Sequence, residues 1–294
     1  MPESVEDGDP QRPVEVPLIY RQNFKGLCEL SRGLGIKKIV VSFQEKRCAL
    51  PTQELLCCRV DGIEVIDGNS FYEMLTGKLL VEFINPSWLI FSKGFQKSRR
   101  RRLVKRTVDL ILSAILLIAL SPFFLLAAVA IRLDSPGPVF FSQNRVGERH
   151  RLYRMHKFRS MVQDAEMLSG PAWAQDNDSR VTRMGRVLRR FRIDELPQFW
   201  NVLKGEMSLV GPRPEQETFV QELEKISPYY RERFSVKPGI TGWAQVNFGY
   251  CASISDSIEK LNYDLFYIKN MSGLMDLLVI LRTVKILIFG HGVR

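Results

Sequence analysis

The sequence predicts an α+β membrane-associated domain with a re-entrant helix hairpin broken at Ser-Pro and with amphipathic interfacial helices. A partial α/β region precedes it. Three observations support this. Residues 110–131 are uncharged and almost wholly apolar, with Ser121-Pro122 near their middle. Basic residues crowd both ends of that stretch. Ahead of it, short helical and strand patterns alternate as α-β-α-β-α, the order of a parallel α/β unit.

The chain has 294 residues and a formal net charge of +10, with 25% of its residues charged. That length is ample for one or two domains. A basic balance suits nucleic acid, an anionic membrane face or phosphorylated substrates. The apolar stretch selects the last two and argues against nucleic acid. Of the 5 cysteines, four lie in the first 60 residues, with no CxxC pair and no zinc-site spacing. A reduced cytosolic environment follows. No signal peptide is read ahead of residue 100.

Residues 1–17 are acidic and proline-rich, the composition of a disordered start. Residues 18–95 form the partial α/β region. Helical spacing covers 24–34 and ends at Gly33 and Gly35. Residues 36–43 read as a buried strand, 50–59 as a helix, 63–66 as a second strand and 71–77 as a third helix. No GxGxxG occurs, so nothing supports nucleotide binding by this region. Residues 96–109 form a basic juxtamembrane segment with Lys97, Arg99, Arg100, Arg101, Arg102, Lys105 and Arg106. Beside an apolar stretch, such a cluster anchors to anionic membrane lipid.

A single span is the simplest reading of residues 110–131, since about 20 apolar residues cross a bilayer. The far side argues otherwise. Arg132, Arg145, Arg149, Arg151, Arg154, Lys157 and Arg159 follow the stretch, and basic flanks mark the cytoplasmic side. Both ends on one side require a helix that enters and turns back. Pro122 lacks an N–H and breaks the helix, and the Ser121 hydroxyl can take a freed carbonyl.

Residues 132–294 form the cytosolic domain. A turn at 134–138 leads to a strand at 139–143, with 151–159 as its pairing partner and a helix over 162–168. Residues 187–191 are apolar-periodic. Pro238-Gly239-Ile240-Thr241-Gly242-Trp243-Ala244-Gln245-Val246 reads as a turn followed by a short strand, with Trp243 placed either at the membrane interface or in the core. Residues 261–270 are helical. Residues 275–289 are apolar but carry Asp276, Arg282 and Lys285, which suits a helix lying on the membrane or capping the domain. The 3 histidines show no metal-ligand or triad spacing.

The stretch that carries chemistry is Arg189-Arg190-Phe191-Arg192-Ile193-Asp194-Glu195-Leu196-Pro197-Gln198. Its simplest reading is that Asp194 caps a helix running to about Leu203, with Glu195 complementing the dipole. The surroundings favour more. Two adjacent carboxylates follow a dense arginine cluster, and Gly211-Pro212-Arg213-Pro214 presents one arginine on a rigid loop. Arginine binds phosphate oxygens through its planar fork. Such a constellation can bind Mg²⁺ with a diphosphate, or hold a carboxylate nucleophile that attacks phosphorus. A buried salt bridge is the alternative for Arg213.

From about Leu103 to Arg294 the sequence resembles the bacterial sugar transferases, the monotopic polyprenyl-phosphate phosphoglycosyl transferases. The matching stretches are Lys105-Arg106-Thr107-Val108-Asp109, Ser121-Pro122, Phe141-Ser142-Gln143-Asn144-Arg145-Val146-Gly147, and Lys157-Phe158-Arg159-Ser160-Met161. They continue with Asp194-Glu195-Leu196-Pro197-Gln198, Asn201-Val202-Leu203-Lys204-Gly205, Gly211-Pro212-Arg213-Pro214 and residues 238–247. The resemblance implies transfer of a sugar phosphate from a UDP-sugar to undecaprenyl phosphate at the cytosolic face of the bacterial inner membrane, as the initiating step of exopolysaccharide, capsule or O-antigen synthesis. It implies Asp194 as nucleophile, Glu195 as the Mg²⁺ ligand, and Lys157, Arg189 and Arg213 as phosphate-binding residues. Residues 71–92 resemble the end of the Rossmann-like, CoA-binding-like domain of the family's larger members, and the exopolysaccharide-associated subgroup is the most similar, also at the 289–294 end. Those members begin with four transmembrane helices and a complete α/β domain, so this chain reads either as an N-terminally shortened form or as one whose N-terminal half is encoded elsewhere. Asn247-Phe248-Gly249 departs from the commoner Asn-Gly. A non-catalytic scaffold of a polysaccharide assembly complex is the alternative, and a homo-oligomer is left open.

Overall fold

In the computed structural model, the described residues are 24–41, 50–83, 92, 94–162, 178–249 and 253–289. The disordered start, most of the expected 162–168 helix and the 290–294 end lie outside them. The chain divides into two units, Met1–Phe71 and Tyr72–Arg294.

In the first unit, α1 (Leu27–Gly33), β1 (Lys38–Val41), α2 (Thr52–Val60) and β2 (Glu64–Asp67) alternate, and α3 (Gly68–Thr76) crosses into the second unit. The strands pair in parallel, with Lys38 opposite Glu64 and Val41 opposite Asp67. Parallel neighbours need a crossover, and α2 supplies it. Leu27, Cys28, Leu55, Cys58 and Ile63 form the small core beneath it.

The second unit is built around α4 (Arg99–Ala119) and α5 (Ser121–Asp134). Helix α4 starts well before the apolar stretch, inside the basic segment. Lys and Arg are good helix formers, and the Ser98 hydroxyl caps the helix by accepting the Arg101 N–H at 3.3 Å. The polar half of α4 is tied down. Arg106 donates to the carbonyls of Val202 and, at 2.8 Å, Leu203. Asp109 accepts the Leu209 N–H at 3.1 Å, and Lys105 pairs with Asp276 at 2.7 Å. The apolar half is bare, with Ile111, Ile115 and Ile118 exposed, as are Phe123, Leu125 and Leu126 on α5.

No single helix among the described residues is long and apolar enough to cross a membrane. The α4–α5 pair passes by length and composition, bent by 59° at its break. The break falls where proline removes a helix donor, and Ser121 Oγ donates to the Ile118 carbonyl at 2.8 Å.

Beyond α5, β3 (Phe140–Val146) and β4 (Leu152–Phe158) form an antiparallel hairpin, Phe140 opposite Phe158 and Val146 opposite Leu152. Arg159, buried just after β4, donates to the carbonyls of Ser135 and Pro136, the latter at 2.9 Å, and so fixes the turn after α5. Then come α6 (Arg183–Arg190), a 3₁₀ turn at Ile193–Glu195, α7 (Gln198–Lys204), β5 (Ser208–Val210), α8 (Glu217–Ile226), a 3₁₀ stretch at Pro228–Ser235, β6 (Gly239–Thr241), α9 (Trp243–Asn247), α10 (Ile254–Asn270) and α11 (Gly273–Phe289).

One expectation is corrected. Residues 238–246 are expected as a turn followed by a short strand, but the strand comes first, at Gly239–Thr241, where it pairs in parallel with β5. Trp243–Asn247 is instead a short helix on Gly242, its last turn closed by Asn247 Nδ2 donating to the Trp243 carbonyl at 2.8 Å. The core gathers β5, α10 and their neighbours, with Val202, Met207, Leu261, Leu265 and Ile268 fully buried.

Candidate active site

Two prolines and one strained residue shape the loops that meet here. Helix α6 ends at Arg190, and Arg192 takes the left-handed conformation at φ 56°. A non-glycine residue pays about 1–2 kcal/mol for that conformation. The reversal turns Asp194 and Glu195 inward, and both carboxylates are buried at 7% exposure. Asp194 is therefore not the cap of the following helix. That helix starts at Gln198 behind Pro197, with no side-chain cap.

Glu195 is the electrostatic centre. Its Oε1 accepts Arg213 at 2.7 Å and Lys157 at 3.3 Å, with Arg192 at 3.8 Å. Burial pushes this carboxyl up, but Arg213 and Lys157 outweigh it and hold Glu195 far below the ordinary range. Asp194 behaves oppositely. Burial, then the Glu195 charge, raises it above the ordinary carboxylate range, against the pull of Lys157, Arg189 and Arg213. Its Oδ1 is buried with no hydrogen-bond partner among the described residues. Burial lowers Lys157, and the facing Glu195 opposes that shift.

The cations are set by the scaffold. Lys157 points from β4, opposite Phe141. Arg189 is oriented by its Nε donating to Ser160 Oγ at 2.9 Å. Arg213 lies between Pro212 and Pro214, and its carbonyl accepts Arg233 at 3.0 Å. Arg233 is itself held by a buried pair with Asp264 at 2.8 Å. Arg145 donates to the Pro214 carbonyl at 3.3 Å.

The structure thus brings all five residues singled out for chemistry to one place. Sequence reading assigned no part to Ser160, Arg192 or the Arg233–Asp264 pair. Ser160 and Arg192 stood inside quoted motifs. Arg233 and Asp264 lie 31 positions apart with no linking pattern. The described histidines lie elsewhere, His156 against Ser142 at 3.0 Å and His150 against Glu224 at 2.8 Å.

A hard cation such as Mg²⁺ takes oxygen ligands and keeps several waters. The adjacent carboxylates, with Asp194 Oδ1 unpartnered, fit that requirement. The cations on Glu195 would repel a bare dication, so the set suits Mg²⁺ arriving with a diphosphate. In the first unit, Cys28, Cys57 and Asp61 bring ligand atoms within 4.8 Å of one another, a grouping the sequence spacing did not reveal. There the Cys28 thiol donates to Asp61 at 2.9 Å, and that bond raises the thiol's pKa well above its usual range.

The model of the bacterial sugar transferase family matches residues 100–290. The chain belongs to the bacterial sugar transferase family. Its site falls wholly inside the matched region. Among curated family members, the chain is 45% identical over 237 residues to the UDP-N-acetylgalactosamine-undecaprenyl-phosphate N-acetylgalactosaminephosphotransferase of Aeromonas hydrophila, covering 81% of this chain and 55% of that protein. It is 46% identical over 217 residues to the undecaprenyl-phosphate glucose phosphotransferase of Komagataeibacter xylinus, covering 72% and 41%. The exopolysaccharide production protein PSS of Rhizobium leguminosarum bv. phaseoli is 41% identical over 186 residues, covering 62% of this chain and 93% of that protein. The chain spans about half the length of the first two relatives.

Proposed function

We propose that this chain transfers a sugar phosphate from a UDP-sugar to undecaprenyl phosphate, releasing UMP, as the initiating step of exopolysaccharide, capsule or O-antigen synthesis. The observation that carries the reading is the unpartnered Asp194 Oδ1, buried beside Glu195 and faced by Lys157, Arg189 and Arg213. A carboxylate oxygen with no competing partner is free to attack, and the surrounding cations neutralise charge that develops on phosphate. Named relatives act on UDP-sugars and undecaprenyl phosphate, which supports the substrate classes.

In this reading an Asp194 oxygen attacks the phosphorus that bears the sugar. The bond from that phosphorus to the bridging oxygen breaks, and UMP departs with the electron pair. The phosphosugar is left on Asp194 as an acyl phosphate. An oxygen of the lipid phosphate then attacks the same phosphorus, and the Asp194 carboxylate leaves. Arg213 and Arg189 orient the diphosphate, and Lys157 supplies a compact positive charge. Glu195 would hold Mg²⁺, which when bound neutralises diphosphate charge.

The bent α4–α5 pair is read as a re-entrant hairpin in the bacterial inner membrane, with α11 lying on the same cytosolic face. The bare apolar residues of α4 and α5, and Leu274, Leu281 and Ile288 of α11, support it. Basic residues 97–106 meet anionic lipid. The parallel β1–β2 pair supports reading the first unit as part of a Rossmann-like domain.

The test is a UDP-sugar labelled in the phosphate that bears the sugar, supplied without lipid acceptor. UMP release and a labelled protein adduct are expected, and Asp194→Asn loses both. An adduct that persists in Asp194→Asn would reject the nucleophile. A folded, membrane-bound chain that turns over no UDP-sugar would favour the scaffold reading.

A further inference from the structure

Residues 73–81, from the end of α3 onward, are strapped along α10, outside the motifs that carry the chemistry. Buried Glu73 accepts Lys269 and, at 3.0 Å, Asn270. The Leu79 N–H reaches the Asn262 carbonyl at 3.1 Å, and the Val81 N–H reaches Asn262 Oδ1 at 3.0 Å. Leu79 and Val81 are buried in the main core. Between them and α3, the Gly77 carbonyl accepts the Trp243 indole N–H at 2.7 Å.

Trp243 is fixed on every side. It is buried, its ring stacks on Phe266 at 5.8 Å, and the Arg282 guanidinium lies 4.7 Å over it. A leucine or phenylalanine could sit apolar and smaller in this core site, but neither could donate to Gly77. The contact is close on the strap side too. Gly77 has φ +66°, and a Cβ there would lie 3.1 Å from Trp243 Cζ2.

Trp243 sits two residues past the β6 strand that grips the Arg213 loop. The Gly211 N–H donates to the Thr241 carbonyl at 2.9 Å, and the Gly239 N–H donates to the Pro212 carbonyl at 2.9 Å. Gly242, between Thr241 and Trp243, approaches so closely that a Cβ would stand 2.2 Å from the Gly211 carbonyl oxygen. The indole therefore fixes one end of the backbone clamp that aims Arg213 at Glu195.

We propose that Trp243 is a positioning residue for Arg213, and that the 72–81 strap belongs to the frame of the site because its Gly77 carbonyl holds the Trp243 indole. The proposal deepens the phosphoglycosyl transferase reading, since it rests on Arg213 binding the diphosphate. It assigns a role to residues outside the matched family region. The strap is what the first unit is covalently joined to, through α3.

The test uses the full chain in lipid nanodiscs with Mg²⁺ and UDP as the probe. Trp243→Phe keeps an aromatic ring but removes the N–H donor together with the five-membered ring that carries it. It is expected to weaken UDP binding about fivefold, the worth of one hydrogen bond. In an Arg213→Ala background the same change is expected to add nothing, because both act through one group. Gly77→Ala, perturbing the partner, should reproduce the loss. Hydrogen exchange on the same samples, without UDP, is expected to be faster at Gly211 and Gly239 in Trp243→Phe, with α4 amides unchanged.

Additive losses in the double variant would overturn the proposal, as would UDP affinity equal to that of the wild type. If the wild-type chain itself binds no UDP, the substrate reading falls. Exchange then decides the positioning claim alone: faster exchange at Gly211 and Gly239 sustains it, and unchanged exchange overturns it.

Discussion

Asp194 and Glu195 are neighbours with opposite electrostatic situations, so their amide variants should move stability in opposite directions. Glu195→Gln keeps the shape and removes the charge that faces Arg213 at 2.7 Å and Lys157 at 3.3 Å. Neutralising one partner of a buried pair costs roughly 3–5 kcal/mol. Arg213 keeps 30% of its side chain exposed, so water recovers part of that and the expected loss is about 2 kcal/mol. For a unit of this size, that lowers the unfolding midpoint by about 4–8 °C. Asp194→Asn removes a buried charge that is repelled by Glu195 and has one oxygen unpartnered, so its midpoint should rise while turnover is lost. The pH dependence follows from the directions of the shifts. Glu195 is lowered, so its contribution is present above the ordinary 4.5 and is lost as pH falls below it. Asp194 is raised, so its contribution is present below the ordinary 3.8 and is lost as pH rises through its folded value. Asp194→Asn should therefore converge on the wild type as the medium is acidified toward 3.8, whereas Glu195→Gln should remain the less stable there, because folded Glu195 stays ionised well below 4.5. The assay is thermal unfolding of the full chain in nanodiscs at one heating rate, at neutral and acidic pH. Midpoints lowered in both variants at neutral pH would refute the assignment of opposite roles.

Arg213→Lys keeps the charge but loses the planar fork, and should lower kcat/KM about 100-fold, read from UMP release. Ser160→Ala frees Arg189 Nε and should raise KM for the UDP-sugar more than it lowers kcat, a split visible in steady-state kinetics. Asp109→Leu leaves the buried Leu209 N–H without its acceptor and should cost about 1–3 kcal/mol, measured as a lower unfolding midpoint. Removing Mg²⁺ with a chelator should abolish the labelled adduct, and Mg²⁺ should restore it. A thiol-reactive reporter placed just past Ile131 should label from the cytosolic side; labelling from the other side would reject the hairpin.

Local pattern carried much of the architecture. The strand at 139–143 and its nearby partner at 151–159 were legible because antiparallel neighbours in sequence pair directly, and Phe140 does lie opposite Phe158. The Ser121-Pro122 break was legible because proline acts on its own helix whatever surrounds it. The helix at Trp243–Asn247 was not. The stretch 238–246 reads as a turn and then a strand, but the strand is set by its partner β5, some 30 residues upstream, which no local window contains. The candidate site was legible as residue types, since Asp194, Glu195 and Arg213 stood in compact motifs. Its support was not. Arg233 reaches Asp264 and the Arg213 carbonyl only through tertiary folding, and Gly77 looked like a helix end rather than an acceptor for Trp243.

The separations of these contacts set an order of assembly. Asp109 waits 100 residues for Leu209, and the Gly77 carbonyl waits 166 residues for Trp243. Such distant pairings close late, because loop entropy is paid before they form. During synthesis the α4–α5 pair emerges and can meet the bilayer while β6, α9 and α10 are still unmade. Arg213 gains its clamp only after those elements arrive. On the proposed hairpin reading, the nascent chain is anchored before it is armed, and each site is completed already at the lipid surface.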